Sequence, residues 1–158
     1  MRGPESGVPT YFLVVPRVFH VAPALQPWEP MTDSGRVLLV ADEEGVRFSL
    51  HALLDRRYRL SGVASGEAAI DALPGFQPDV VLLDVRLLPS MSGLDALTRI
   101  KNFDERIEVV MISAFTSLHL FDEALRRGAF GYVIKLCPRR DLAMMVRGAL
   151  ARRRSRLC

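Results

Sequence analysis

Val80-Val81-Leu82-Leu83 is an unbroken apolar run that ends on a carboxylate, Asp84, with Pro78-Asp79 before it and Pro89-Ser90 after it. A run this short, apolar on both alternating faces and bounded by turn residues, reads as a strand buried on both sides. Such strands belong to parallel sheets covered by helices. A charged group at the carboxyl end of one lies at the crevice where open α/β sheets bind ligands. Three more runs repeat the pattern. Asp42-Glu43 follows Val37-Leu38-Leu39-Val40, Ser113 follows Val109-Val110-Met111-Ile112, and Lys135 follows Tyr132-Val133-Ile134. Acid, acid, hydroxyl and amine would then meet on one edge of one sheet, a set that suits a divalent cation and a phosphoryl group.

Helical stripes separate these runs. Val46, Leu50, Leu53 and Leu54 share one helix face. A short strand is expected around Tyr58–Ala64, and Ser65 is a good N-cap for a helix carrying Ile70 and Leu73. After Asp79–Asp84, Ser92-Gly93 opens a helix with Leu94, Leu97 and Ile100 inward. Ile107–Ile112 is the fourth strand. Leu118, Phe121 and Leu125 mark a fourth helix, closed by Gly128. Phe130–Ile134 is the fifth strand, and Leu142, Met145, Val146, Ala149 and Leu150 stripe the last helix. Five strands alternating with five helices give a parallel sheet covered on both faces, with right-handed crossovers.

The rest of the chain adds little chemistry. Residues 1–35 hold six of the ten prolines, which block helix and central strand, so a weakly ordered extension is expected there. Met31 is an alternative start. The domain is expected over 36–153, with 154–158 as a basic tail. Tyr11–Val15 stops at Pro16 and is far too short to span a bilayer, so no membrane association is expected. Two cysteines, Cys137 and Cys158, make no disulfide framework, which points to a reducing cytoplasm. Seven of the 21 basic side chains fall in the last 20 residues. They read as a solvated helix end that complements the helix dipole. No helix-turn-helix or zinc pattern accompanies them, and His20, His51 and His119 share no ligand spacing. Direct DNA binding is therefore not expected.

Four motifs in order carry a family resemblance. They are Arg36-Val-Leu-Leu-Val-Ala-Asp-Glu-Glu44, Pro78-Asp-Val-Val-Leu-Leu-Asp84, Met111-Ile-Ser-Ala114, and Ala124-Leu-Arg-Arg-Gly-Ala-Phe-Gly-Tyr-Val-Ile-Lys135. From about Arg36 to Arg153 the chain resembles the receiver domain of bacterial two-component response regulators. The resemblance implies a flavodoxin-like (βα)5 fold with strand order 2-1-3-4-5. It implies that Asp84 accepts a phosphoryl group from a histidine kinase or histidine phosphotransfer protein. Lys135 and Ser113 would hold the phosphoryl oxygens. Asp42, Asp84 and the Arg86 backbone carbonyl would hold Mg²⁺, while Glu43 reads first as a solvated helix-start acid and only second as a ligand. Ser113, Ala114 and Tyr132 would form a switch, with Tyr132 turning from exposed to buried. A downstream protein would read the surface of the fourth helix, fifth strand and fifth helix. Such a domain modifies its own aspartate and is a signalling module, not a turnover enzyme.

Three departures bear on this expectation. Ala41 stands where the family usually has a second acid, so Mg²⁺ should bind weakly. The loop after Asp84, Val85-Arg-Leu-Leu-Pro-Ser-Met-Ser-Gly93, is one residue longer than the common form. Leu136 replaces the usual proline after Lys135, and a non-proline residue there favours a trans bond by about 2.5–4 kcal/mol. These keep open a pseudo-receiver, an interaction module that does not depend on phosphorylation. A metal-dependent phosphohydrolase is weaker, because Arg86 occupies the place of its second acid.

Overall fold

The computed structural model describes residues 35–54, 57–87, 90–114, 116–135 and 137–157. The expected extension over 1–34, the Leu88-Pro89 part of the long loop and the bond to Leu136 lie outside the described residues. Ten elements alternate: β1 (Arg36–Val40), α1 (Glu44–Leu54), β2 (Arg59–Val63), α2 (Gly66–Phe76), β3 (Val80–Asp84), α3 (Gly93–Phe103), β4 (Glu108–Ser113), α4 (Leu118–Arg126), β5 (Gly131–Ile134) and α5 (Arg139–Leu157). The strands form one parallel sheet in the order β2-β1-β3-β4-β5, as the alternation and the resemblance require. Every residue of β3 and β4 is buried, which is why those runs do not alternate in polarity.

Alternate residues of each strand supply two cores. Val37, Leu39, Leu82, Val110 and Ile112 pack under α1 and α5, against Leu54, Val146 and Leu150. Leu38, Val81, Leu83, Val109 and Met111 pack under α2, α3 and α4, against Leu73, Leu97 and Ala124. Burying each such aliphatic side chain contributes about 1.5–3 kcal/mol. Ser65 caps α2 by accepting from the Ala68 N–H at 3.1 Å, and Ser92 caps α3 in the same way. Gly128, at φ 97°, closes the end of α4 in a conformation that favours glycine.

Two expectations are corrected. On α4, Leu118 is 74% exposed and Leu125 also faces outward. The inward face is instead Ala124, fully buried, with Leu120 and Phe121 packed beside it. A helix resting close on a sheet needs a small residue at the contact, so the larger leucines were the misleading signal. At α5, the helix runs to Leu157, through the residues expected as a tail, and its arginines are not simply solvated. Arg153 Nε lies 3.0 Å from Asp79 Oδ1, while Asp79 Oδ2 accepts the Arg36 N–H at 2.9 Å. Glu108, at 0% exposure, sits among Arg156, Arg152 and Lys101 at 3.4, 3.5 and 3.9 Å. Among the described residues, no group donates an aligned hydrogen bond to either Glu108 oxygen, so these cations hold it by charge. Lys101 donates instead to the Glu105 and Ile107 carbonyls. Burial lowers the Lys101 pKa, opposed by Glu108.

Charge therefore fastens α5 to the amino edge of the sheet. A buried carboxylate that loses its cations is costly, by about 3–5 kcal/mol. Replacing Arg152 and Arg156 together by Ala should lose about 3 kcal/mol in chemical denaturation, the low end because both guanidiniums are partly solvated. Arg140→Ala, at an exposed site on the same helix, should change stability by less than about 0.5 kcal/mol.

Candidate functional site

The strand register brings the polar strand ends together. Val40 lies beside Leu83, so Ala41 comes level with Asp84. Asp84 lies beside Ile112, and Ser113 beside Ile134, which leaves Ser113 one step and Lys135 two steps further along the same edge. The ladder continues past the strands: the Val85 N–H donates to Ile112 O at 2.8 Å, and the Lys135 N–H to Ser113 O at 2.6 Å.

Asp84 is the centre of this edge. Its side chain is almost wholly buried. Oδ1 accepts the Arg86 N–H at 2.9 Å. Lys135 Nζ stands 2.8 Å from Oδ2, yet Oδ2 accepts no aligned hydrogen bond. The distance establishes an ion pair, and the misalignment leaves an Oδ2 lone pair undirected. Lys135 is 19% exposed, so water reaches the pair from one side. Glu43 Oε1 is 3.8 Å from Lys135 Nζ but 69% exposed. It faces the site through a solvated, weak contact.

The remaining expected residues are distributed less evenly. Asp42 is half-buried on the loop after β1. Ser113 is 4% exposed at the end of β4, and Ala114 beyond it is exposed. The Arg86 main chain is engaged with Asp84, and its side chain is exposed. Tyr132 departs from its expected exposed position. It is 3% exposed and meets Phe121 of α4 edge to face, at 5.9 Å between centroids and 88° between planes. The small Ala124 lets α4 come close enough for this contact, which stabilises by about 0.5–1.5 kcal/mol beyond burial.

Two residues on this edge were not singled out by sequence. Arg47 of α1 donates from Nη1 to the carbonyls of Ala41 and Asp42, at 2.6 and 3.2 Å. Gly93 lets α3 start against the end of β3: a Cβ there would lie 2.1 Å from Asp84 O and 2.7 Å from Val85 Cα. A glycine directly after a cap serine was visible in the sequence, but its close approach depends on where α3 lands. The Ser90 hydroxyl also donates to Glu67 Oε1, tying the long loop to the first turn of α2.

The oxygen donors here, the carboxylates of Asp42 and Asp84 and the carbonyl of Arg86, are of the type a hard cation such as Mg²⁺ takes. Among the described residues, no group of three or more His, Cys, Asp or Glu is arranged to hold a metal ion. Ala41 stands level with Asp84 on this edge.

Comparison with known proteins agrees with the fold and the motifs. Residues 37–147 match the family model of the response regulator receiver domain. The chain is 33% identical over 101 residues to sporulation initiation phosphotransferase F of Bacillus subtilis, covering 63% of this chain and 81% of that protein. It is 35% identical over 125 residues to the regulatory protein AtoC of Escherichia coli, covering 76% of this chain. The chain spans only 26% of AtoC's length. Among solved structures, the signal receiver domain of a LuxO repressor protein from Vibrio parahaemolyticus matches with a TM-score of 0.73 and 28% identity, covering 78% of this chain and 95% of that one. Among the described residues, no helix is long and apolar enough to cross a membrane.

The approach at Gly93 gives a direct test. Both clashing groups are backbone and cannot swing away. An exposed helical Gly→Ala change normally gains up to about 1 kcal/mol. Here overpacking of about 1–3 kcal/mol opposes it, and Gly93→Ala should lose about 2 kcal/mol net in urea denaturation.

Proposed function

We propose, because this chain belongs to the response regulator receiver family, that it accepts a phosphoryl group on Asp84 and passes the signal on by a change of shape. Receiver domains act in phosphorelay signalling with histidine kinases or phosphotransfer proteins, and they typically bind Mg²⁺. The observation that carries the reading for this chain is the buried Asp84 carboxylate, with Lys135 Nζ 2.8 Å from an Oδ2 that accepts no directed hydrogen bond.

The chemistry needs little from the protein beyond placement and charge. A carboxylate is ionised at neutral pH and needs no general base. An Asp84 oxygen attacks phosphorus on the donor's phosphohistidine. A P–O bond forms, the P–N bond breaks, and the imidazole leaves with the electron pair. Lys135, already paired with Asp84, shifts onto the phosphoryl oxygens as a point charge. Ser113 donates its hydroxyl to the same oxygens. Asp42, Asp84 and the Arg86 carbonyl would hold Mg²⁺, which would supply neutralising charge to the phosphoryl group. The group ends on the chain's own aspartate, so the domain is a signalling module acting in the cytoplasm.

The switch then runs through Ser113, Ala114 and Tyr132. Drawing Lys135 and Ser113 toward the phosphoryl group alters the carboxyl ends of β4 and β5, and Tyr132 carries the change to α4 through Phe121. This shifts the balance between two packed states, read by a downstream protein on the α4–β5–α5 face. A second reading, an interaction module that needs no phosphorylation, is favoured by one observation, the missing acid at Ala41.

Two measurements separate these readings. With Mg²⁺ and a small phosphodonor, the wild type should gain an acid-stable, base-labile phosphoryl group, and folded Asp84→Asn should gain none. Equal uptake by both would remove Asp84 from its role. Ala41→Asp adds charge and a possible ligand to the cation site. In a Mg²⁺ titration it should tighten binding about tenfold, or 1.4 kcal/mol. No tightening would mean that an acid at position 41 does not reach the cation.

A further inference from the structure

Arg47 sits one turn into α1 and closes back on the loop that carries Asp42 and Glu43. Its main-chain N–H donates to Glu43 O at 3.2 Å. Its Nη1 donates to Ala41 O at 2.6 Å and to Asp42 O at 3.2 Å. One residue thus satisfies three consecutive carbonyls between the end of β1 and the start of α1. Carbonyls at such a junction have left the sheet ladder and would otherwise need water or another donor. The other side of the loop is tied by the Ala41 N–H, which donates to Val63 O at 3.2 Å. The Arg47 stem crosses β2 at Gly62, where an added Cβ would lie 3.6 Å from Arg47 Cδ. The stem therefore runs along the sheet at ordinary contact distance, and a planar, always-charged guanidinium fits this fixed role.

We propose that Arg47 is a positioning residue. It fixes the backbone from Ala41 to Glu43 and so sets where the Asp42 carboxylate stands relative to Asp84. This inference rests on the phosphoacceptor reading above and deepens it. A site with two acids after β1 can tolerate some looseness in either. With Ala41 in place of one, cation binding depends on how well a single carboxylate is placed, and Arg47 supplies that placement.

Arg47→Met tests this while keeping an unbranched stem over Gly62 and removing the donors. Outer partners that orient metal ligands are usually worth about 10–100-fold in metal affinity. Titrating the full chain with Mg²⁺ alone, Arg47→Met should bind about tenfold more weakly, the low end because Arg47 acts through backbone. Arg47→Lys, which keeps a charged donor, should recover part of that loss. Amide exchange should quicken at residues 41 and 47, whose N–H groups donate to the Val63 and Glu43 carbonyls, in Arg47→Met but stay unchanged at Leu82 and Leu83, which excludes general loosening. Unchanged or tighter Mg²⁺ binding in Arg47→Met overturns the proposal, tighter binding meaning that Arg47 acts only as a repelling charge. A wild type that binds no Mg²⁺ contradicts the phosphoacceptor reading itself. Loop exchange then still decides whether Arg47 holds the loop, and unchanged exchange overturns that as well.

Discussion

Asp84 is a carboxylate with almost no exposure to water, and a buried charge is tolerated only with a partner. Lys135 is that partner, at 2.8 Å. The rest of the carboxyl edge follows from keeping these two groups together. β3 must be apolar on both faces to end at this depth. β5 must run parallel to β4, one strand beyond β3, for Lys135 to reach across Ser113. The Arg86 N–H and the close start of α3 at Gly93 then fix the turn that leaves Asp84. Lys135 pairs with one oxygen of the carboxylate, and the Arg86 N–H donates to the other.

The two edges of the sheet use charge differently. At the amino edge, Arg152, Arg153 and Arg156 meet Glu108, Asp79 and Asp104, and acid and base are closely balanced there. At the carboxyl edge Asp84 pairs with Lys135 at 2.8 Å, and Glu43 reaches the same lysine only at 3.8 Å through water-exposed space. A balanced edge stabilises α5. The arginines at the end of α5, which composition alone assigned to solvent, contribute to the fold.

Fold class and strand order were legible because they rest on strong local signals. The fully apolar runs, their turn residues and the four polar strand ends all pointed to one parallel sheet, and the motif order agreed. What sequence missed depends on distances between elements. The α4 stripe was misassigned because Leu118 and Leu125 carry more hydrophobicity than Ala124, yet helix-to-sheet spacing selected the alanine. Tyr132 looked free to rotate because nothing in its own strand shows Phe121 coming to meet it. Glu108 opens a buried strand, but its arginine partners lie over 40 residues away in sequence. Arg47 carries no sequence signal of its role, because its side-chain bonds to the Ala41 and Asp42 carbonyls depend on how the loop closes.

The central claim is that the chemistry occurs at Asp84 and nowhere else on this edge. An acyl phosphate is reduced by borohydride to an alcohol, which turns a phosphorylated aspartate into homoserine. Peptide mapping of the full chain, after treatment with Mg²⁺, a small phosphodonor and then borohydride, reads the position directly. The account predicts homoserine at position 84 alone. Conversion at Asp42, or no conversion at any aspartate, would contradict it.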